Sequence, residues 1–172
     1  MGSPEDYNTG IAPKWAISYR AETEKDFVEL WFSKPLTEME GDDAFICLTV
    51  CFPLIESIIR YEQGIANDQD VTFSDGSPAL QWFAKFMQIP EAISRPVWDG
   101  LRNGLLHRAM VKIEFDYELT GKRKGRPAEY DGSRVIIYVW DLRDAVVSLV
   151  RKYNKKLWKG TGSPLPRVYL TP

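Results

Sequence analysis

AFICLTVCFPLIESIIRYEQ, from Ala44 to Gln63, is the stretch on which the fold turns. Phe45, Leu48, Phe52, Ile55 and Ile59 recur at helical spacing along one face. Cys47, Val50, Cys51, Leu54 and Ile58 make a second apolar set beside it. A helix apolar over most of its circumference belongs at the centre of a domain. Pro53 removes a backbone donor and crowds the preceding turn, so a kink or a division is expected there. Glu40, Gly41, Asp42 and Asp43 supply turn and cap residues before the helix, and Gly64 is placed to cap its end.

Outward from this helix the pattern stays mostly helical. Before it, Phe27, Val28, Leu30 and Trp31 suggest a helix over 23–33, with Thr23 as cap and Pro35 as stop. After it, Ser77 can cap a third helix with Pro78 in its first turn, carrying Leu80, Trp82, Phe83, Phe86 and Met87, with Pro90 ending it. A fourth helix is expected after Ser94, with Pro96 in its first turn, carrying Val97, Leu101, Leu105, Leu106 and Met110. The period then changes. In Val111–Leu119 every second residue is apolar, the mark of a strand with one dry face. A second strand over Val135–Trp140 completes a long-looped hairpin spanning 111–140. A last helix is expected from Asp141, as cap, to Trp158. The expected fold is mostly α, a bundle of about five helices with a β-hairpin inserted before the last one. Residues 1–20 read as an extended lead-in, 21–159 as a single domain and 160–172 as a tail.

The 172 residues are 44% apolar and 27% charged, a globular composition with length enough for one core. The polar opening MGSPEDYNTG does not read as a signal peptide. No uninterrupted apolar run reaches bilayer-spanning length, so no membrane helix is expected. Two cysteines, Cys47 and Cys51, are too few for a disulfide scaffold; a cytoplasmic setting and a packing role are expected for them. Trp82, Phe83, Trp98 and Tyr138 are expected in the core rather than as base-stacking platforms.

The net charge of −2 conceals a division. Residues 1–86 hold 6 basic and 15 acidic residues, a balance of −9; residues 87–172 hold 16 and 9, a balance of +7. Either the two halves attract one another within the fold, or the basic half meets an anionic partner. Lys122, Arg123, Lys124 and Arg126 form a compact positive loop, and Arg151, Lys152, Lys155, Lys156 and Lys159 crowd the end of the last helix. Both are ordinary solvated surface or an RNA-backbone contact. The chain's single histidine, His107, leaves too few ligands for a His- or Cys-rich zinc site, and neither a metal nor a cofactor is expected.

That histidine stands in Arg102-Asn103-Gly-Leu-Leu-His107. Asn103 and His107 are four apart and share a helix face. Arg102 lies about 140° around from His107 on an ideal α-helix, within reach of its long side chain. A guanidinium fork matches phosphate oxygens, and an imidazole can move a proton near neutral pH. Asn can orient either the His or a substrate oxygen. The trio suits RNA phosphodiester cleavage by the neighbouring 2′-OH, which needs charge stabilisation and proton transfer. Because base and acid are both useful and the chain has one His, a two-fold dimer is expected. The bland alternative is a surface Arg, a His bonded to a carbonyl, and an Asn acting with Gly104 on the backbone alone.

The run Arg102-Asn103…His107 resembles the R-x4–6-H motif of HEPN domains, and a helical bundle with the motif late in the chain is similar to that family. Glu56 and Arg60 resemble the acidic–basic pair that HEPN domains carry on an earlier helix, although the same spacing also makes an ordinary intrahelical ion pair. The resemblance implies a metal-independent endoribonuclease with a composite homodimer site, of the kind found in toxin–antitoxin, antiviral or RNA-processing systems. It implies an antitoxin protein as partner where the system is of the first kind. Carried over, Arg102 binds phosphate, Asn103 positions, and His107 takes part in acid–base chemistry. The alternative within the same fold is a non-catalytic module binding nucleotide, RNA or protein. A metal-dependent hydrolase using the acidic half is a third reading, opposed by the lack of a His–carboxylate cluster.

Overall fold

Pro53 does not divide its helix. In this computed structural model, which describes residues 29–65, 69–104 and 116–157, Ala44–Glu62 is one helix with Pro53 inside it. The Ser57 hydroxyl donates to the Pro53 carbonyl at 2.9 Å. Gly64, at φ +64°, closes the helix as expected: its N–H bonds to Tyr61 O, and the next N–H, of Ile65, bonds back to Arg60 O.

The fold is mostly helical with a small three-stranded sheet. We number the helices α1 (Lys34–Glu38), α2 (Ala44–Glu62), α3 (Pro78–Met87), α4 (Glu91–Trp98) and α5 (Val139–Leu157). The strands are β1 (Asp116–Thr120), β2 (Ala128–Tyr130) and β3 (Arg134–Tyr138). Helix α2 packs along α5 and also meets α3. Its residues Cys47, Leu48, Cys51, Phe52, Ile55 and Ile59 are fully buried, as expected of a central helix. Within Gly41–Glu62 an 18-residue window reaches a mean hydropathy of 1.7, enough by length and composition to cross a membrane, a test that the buried core helix of a globular domain also passes. The expectation of no membrane helix rests on uninterrupted apolar runs, and a window average does not overturn it. Here that helix supplies the core.

Several boundaries differ from expectation. Pro35 does not stop a helix; it sits in the first turn of α1, where a missing N–H loses no bond. Glu29–Ser33 before it form a π-helical turn, and 23–28 lie outside the described residues. Ser77 caps α3 as expected, accepting from Leu80 N at 3.3 Å. Gln88, in the left-handed region at φ 59°, ends that helix two residues before Pro90. Helix α4 begins at Glu91 rather than after Ser94, so Pro96 falls in its interior instead of its first turn. Ser94 is buried within the helix and its hydroxyl bonds back to Glu91 O at 2.7 Å, so it caps nothing.

The expected hairpin is corrected in its pairing. β1 pairs β3 in parallel, Tyr117 beside Val135 and Leu119 beside Ile137. The antiparallel partner of β3 is the short β2, joined to it by the turn at 131–133, giving the order β1-β3-β2. Residues 121–133 are long enough for the crossover that a parallel pair requires. β3 then runs directly into α5 at Val139, so Val139 and Trp140 are helical and Asp141 lies in the first turn rather than at the cap. Ala128, Val135, Ile137 and Leu142 join the core that α2 and α3 build. Residues 1–20, 105–115 and 158–172 lie outside the described residues, and with them the lead-in, the tail, Leu105, Leu106, Met110, Lys159 and the first half of the expected Val111–Leu119 strand.

Candidate functional site

Trp98, the last residue of α4, is 2% exposed and sits where three elements meet. Phe73 stacks on it at 3.9 Å and 13°, Phe83 of α3 meets it edge-on at 5.0 Å, and Phe52 of α2 at 6.1 Å. These rings fix the end of α4 against α2. One turn further along both helices, the apolar contact gives way to an ionic one. Phe52 leads to Glu56, Trp98 leads to Arg102, and Arg102 grips Glu56. The two segments therefore advance past one another in the same direction.

Beyond Trp98 the helix widens. Asp99–Asn103 is a π-helical turn, with the Gly104 N–H reaching Asp99 O five residues back. This corrects the angular placement of Arg102, which assumed 3.6 residues per turn; a π turn has a longer hydrogen-bonded span. Gly100 in this turn lies against the Tyr117 ring of β1, where an added Cβ would come within 2.4 Å of Oη. Tyr117 Oη donates to Pro96 O at 3.0 Å, tying the sheet to the end of α4.

The Arg102 guanidinium donates from Nε at 3.0 Å and Nη2 at 2.7 Å to the same oxygen, Glu56 Oε2, and from Nη1 at 2.9 Å to Asn103 Oδ1. The other Glu56 oxygen pairs with Arg60 Nη2 at 3.6 Å. Arg60 Nη1 in turn donates to the carbonyl of Gln69. Asn103 Nδ2 donates to Asp99 Oδ1 at 3.1 Å, Asp99 Oδ2 faces Arg95 Nε at 3.8 Å, and Arg95 Nη1 reaches Asp75 Oδ2 at 3.2 Å. The chain of contacts runs from Glu56, with a side chain 17% exposed, out to Asp75, 80% exposed. Its inner trio of Arg60, Glu56 and Arg102 carries a net charge of +1.

Four residues singled out from the sequence, Glu56, Arg60, Arg102 and Asn103, are thus brought together. The intrahelical Glu56–Arg60 pair exists, and Arg102 joins it from another helix. His107 lies outside the described residues. The sequence reading missed Asp99, Arg95 and Asp75. Asp99 had a usable signal, its i, i+4 spacing to Asn103; Asp75, on the loop before α3, had none.

The basic loop is held elsewhere. Asp141 Oδ2 accepts the backbone N–H of Lys124 at 2.6 Å and of Gly125 at 2.8 Å. Arg123 bonds Asp144 at 2.6 Å and faces Asp141 at 3.5 Å; Arg126 pairs with Glu129 at 2.5 Å. The Lys122 N–H bonds Thr120 Oγ1, and the side chains of Lys122 and Lys124 are exposed. The loop's bonds go to β1, β2 and α5. Asp144 is partly buried, which pushes its carboxyl up, but hydrogen bonds from Arg123 and Arg143 hold it below the ordinary value. Part of the charge division is therefore settled within the fold. Arg102–Glu56, Arg95–Asp75 and Arg151–Glu29 each join a cation of the basic half to an anion of the acidic half.

Cys47 and Cys51 are buried with their sulfurs 3.9 Å apart; Cys47 holds the Cys51 thiol well above its usual range, and burial adds to this. Phe83, Trp98 and Tyr138 are buried as expected, while Trp82 is partly buried and stacks on Phe86 at 5.3 Å. Among the described residues no three His, Cys, Asp or Glu side chains gather as a metal-binding group. Compared with known proteins, the chain matches no family model, no curated protein and no solved structure.

Proposed function

We propose that this chain is a metal-independent endoribonuclease of the HEPN type, working as a homodimer in the cytoplasm and cutting RNA with Arg102, Asn103 and His107. The observation that supports this reading is the bond between Arg102 and Glu56, which joins residues 46 positions apart into one cluster with Arg60. A half-buried guanidinium held by a carboxylate is pre-oriented to meet a phosphodiester. In the proposed reaction the 2′ oxygen attacks the adjacent phosphorus and the bond from phosphorus to the 5′ oxygen breaks. His107 of one copy takes the 2′ proton, and the second copy's imidazole returns one to the departing oxygen. Arg102 neutralises the charge that develops on the phosphoryl oxygens. The products are a 2′,3′-cyclic phosphate and a 5′-hydroxyl. Lys122, Arg123, Lys124 and Arg126 contribute to binding the RNA backbone, and activity is held in check by a partner protein of the antitoxin kind.

One observation favours a second reading. Three donors of Arg102 are directed at Glu56 and Asn103, as in a structural ion pair, which suits a non-catalytic module of the same fold that binds RNA, nucleotide or protein. The deciding experiment incubates wild type, His107→Ala and Arg102→Ala with RNA in EDTA. Cleavage by wild type alone, with cyclic-phosphate ends, is the expected result. Identical traces from all three proteins overturn the enzymatic reading, and RNA binding without cleavage installs the second one.

A further inference from the structure

Asn103 sits between a group that only donates and a group that only accepts. Its Oδ1 receives Arg102 Nη1 at 2.9 Å, and its Nδ2 gives to Asp99 Oδ1 at 3.1 Å. A guanidinium has no acceptor and an ionised carboxylate has no donor. The amide therefore has one acceptable orientation. Flipped, it would set its NH2 against the guanidinium and its oxygen against the carboxylate. Without Asp99, the amide keeps only one of its two anchors.

Asp99 is itself well held. It opens the π turn whose last residue is Asn103, and its backbone carbonyl takes the Gly104 N–H that closes that turn. Its second oxygen faces Arg95 Nε at 3.8 Å, and Arg95 is fastened to Asp75 across the surface. The Arg102 fork is thereby fixed on two sides, by Glu56 at Nε and Nη2 and by Asn103 at Nη1. A planar fork fixed at both ends has its plane defined.

We propose that Asp99 is a positioning residue of this site: its carboxylate locks the Asn103 amide with the oxygen toward Arg102, and so sets the plane in which the guanidinium meets a phosphodiester. The inference rests on the ribonuclease reading for its consequence and on the hydrogen-bond chemistry of residues 99, 102 and 103 for its geometry. Asp99 lies behind Asn103 and acts through it.

The test is a reciprocal exchange. Asn103→Asp sets two carboxylates against each other. Asp99→Asn added to it restores one donor and one acceptor in reversed order, with Arg102 still served by a carboxylate. Asp99→Ala removes the anchor outright. Each purified full chain is checked for a cooperative melt. It is then assayed on a labelled single-stranded oligoribonucleotide in EDTA, and the side-chain NH2 resonance of Asn103 is followed by NMR in wild type and Asp99→Ala. Asp99→Ala should lower kcat about tenfold, the effect of one charge-assisted hydrogen bond, with KM little changed. In the same variant the Asn103 NH2 should move toward its solvent-exposed position and exchange faster. Asn103→Asp should lose more activity, and the double variant should recover most of it. An Asn103 resonance unmoved by Asp99→Ala overturns the inference, as does a folded double variant no more active than Asn103→Asp. If wild type cuts no RNA, the ribonuclease reading fails separately, and the Asn103 resonance still decides whether Asp99 holds the amide.

Discussion

Arg102 places two of its donors on one oxygen of Glu56, Nε at 3.0 Å and Nη2 at 2.7 Å, and leaves the other oxygen to Arg60. Both side chains are mostly buried, at 26% and 17% exposure. Removing the carboxylate charge takes away the anion that the two guanidinium groups share. Glu56→Gln should therefore destabilise the fold by about 1–3 kcal/mol, more than an exposed pair would. Urea unfolding checks this. Because the pair lies one turn beyond the Phe52–Trp98 contact, the loss should be accompanied by a change in tryptophan fluorescence of the folded state. A stability change below about 0.5 kcal/mol would mean the pair behaves like surface charge.

Gly100 tests the join between the π turn and the sheet. A Cβ there would meet Tyr117 Oη at 2.4 Å and Cζ at 3.0 Å. An aromatic ring cannot fold its end away as a lysine can, and Oη is committed to Pro96 O. Gly100→Ala should destabilise by about 1–3 kcal/mol through overpacking. Tyr117→Phe should relieve part of that, so the double variant should be more stable than the sum of the single changes predicts. Strict additivity in thermal melts would show that the two residues do not touch.

What the sequence made legible follows the strength of the local signal. The α2 pattern, the Ser77 cap and the Gly64 terminus were readable because periodicity, a capping hydroxyl and a left-handed glycine act over a few residues. The Glu56–Arg60 spacing was readable for the same reason. Strand direction was not, because alternation in Val111–Leu119 marks a strand and says nothing of whether the neighbour is parallel. β2, at three residues, is too short to show a period. Pro96 reads as a first-turn proline, since that is its favoured place, whereas packing of Val97 and Trp98 in the core holds it inside α4. The π turn has no compositional mark, so the placing of Arg102 by α-helical angles was bound to be inexact. Asp75 and Arg95 meet across 20 positions by tertiary packing alone.

The turn between β2 and β3 makes the fold sensitive to acid. Asp131 accepts from the backbone N–H groups of Arg134 and Ser133, and from both their side chains, which holds its carboxyl far below the ordinary value of 3.8. A carboxyl depressed in the folded state contributes stability above its unfolded pKa and loses that contribution as pH falls through the folded one. The melting temperature should therefore decline as pH drops below about 4. Asp131→Asn should melt lower at neutral pH and show a shallower decline, with the two curves converging in acid. Parallel curves would place the acid sensitivity in other carboxylates, such as Glu129, lowered by the hydrogen bond from Tyr138 and then by Arg126.

Asp141 separates loop architecture from RNA binding. One carboxylate oxygen takes the N–H groups of Lys124 and Gly125, and the other faces Arg123. The carboxylate thus fastens the basic loop to the first turn of α5, where a negative charge also suits the helix dipole. Asp141→Ala should destabilise by about 1–2 kcal/mol and speed amide exchange of residues 122–126 without unfolding the core. If the loop touches RNA, Lys122→Ala with Lys124→Ala should weaken binding of a labelled oligoribonucleotide. The slope of log K against log salt should then fall by about 1.4, at roughly 0.7 for each single-strand phosphate that a lysine no longer neutralises. Arg123→Ala should change that slope less, because Arg123 is bonded to Asp144 and would have to leave it to reach a phosphate. An unchanged slope in the double lysine variant would assign the loop to solvent.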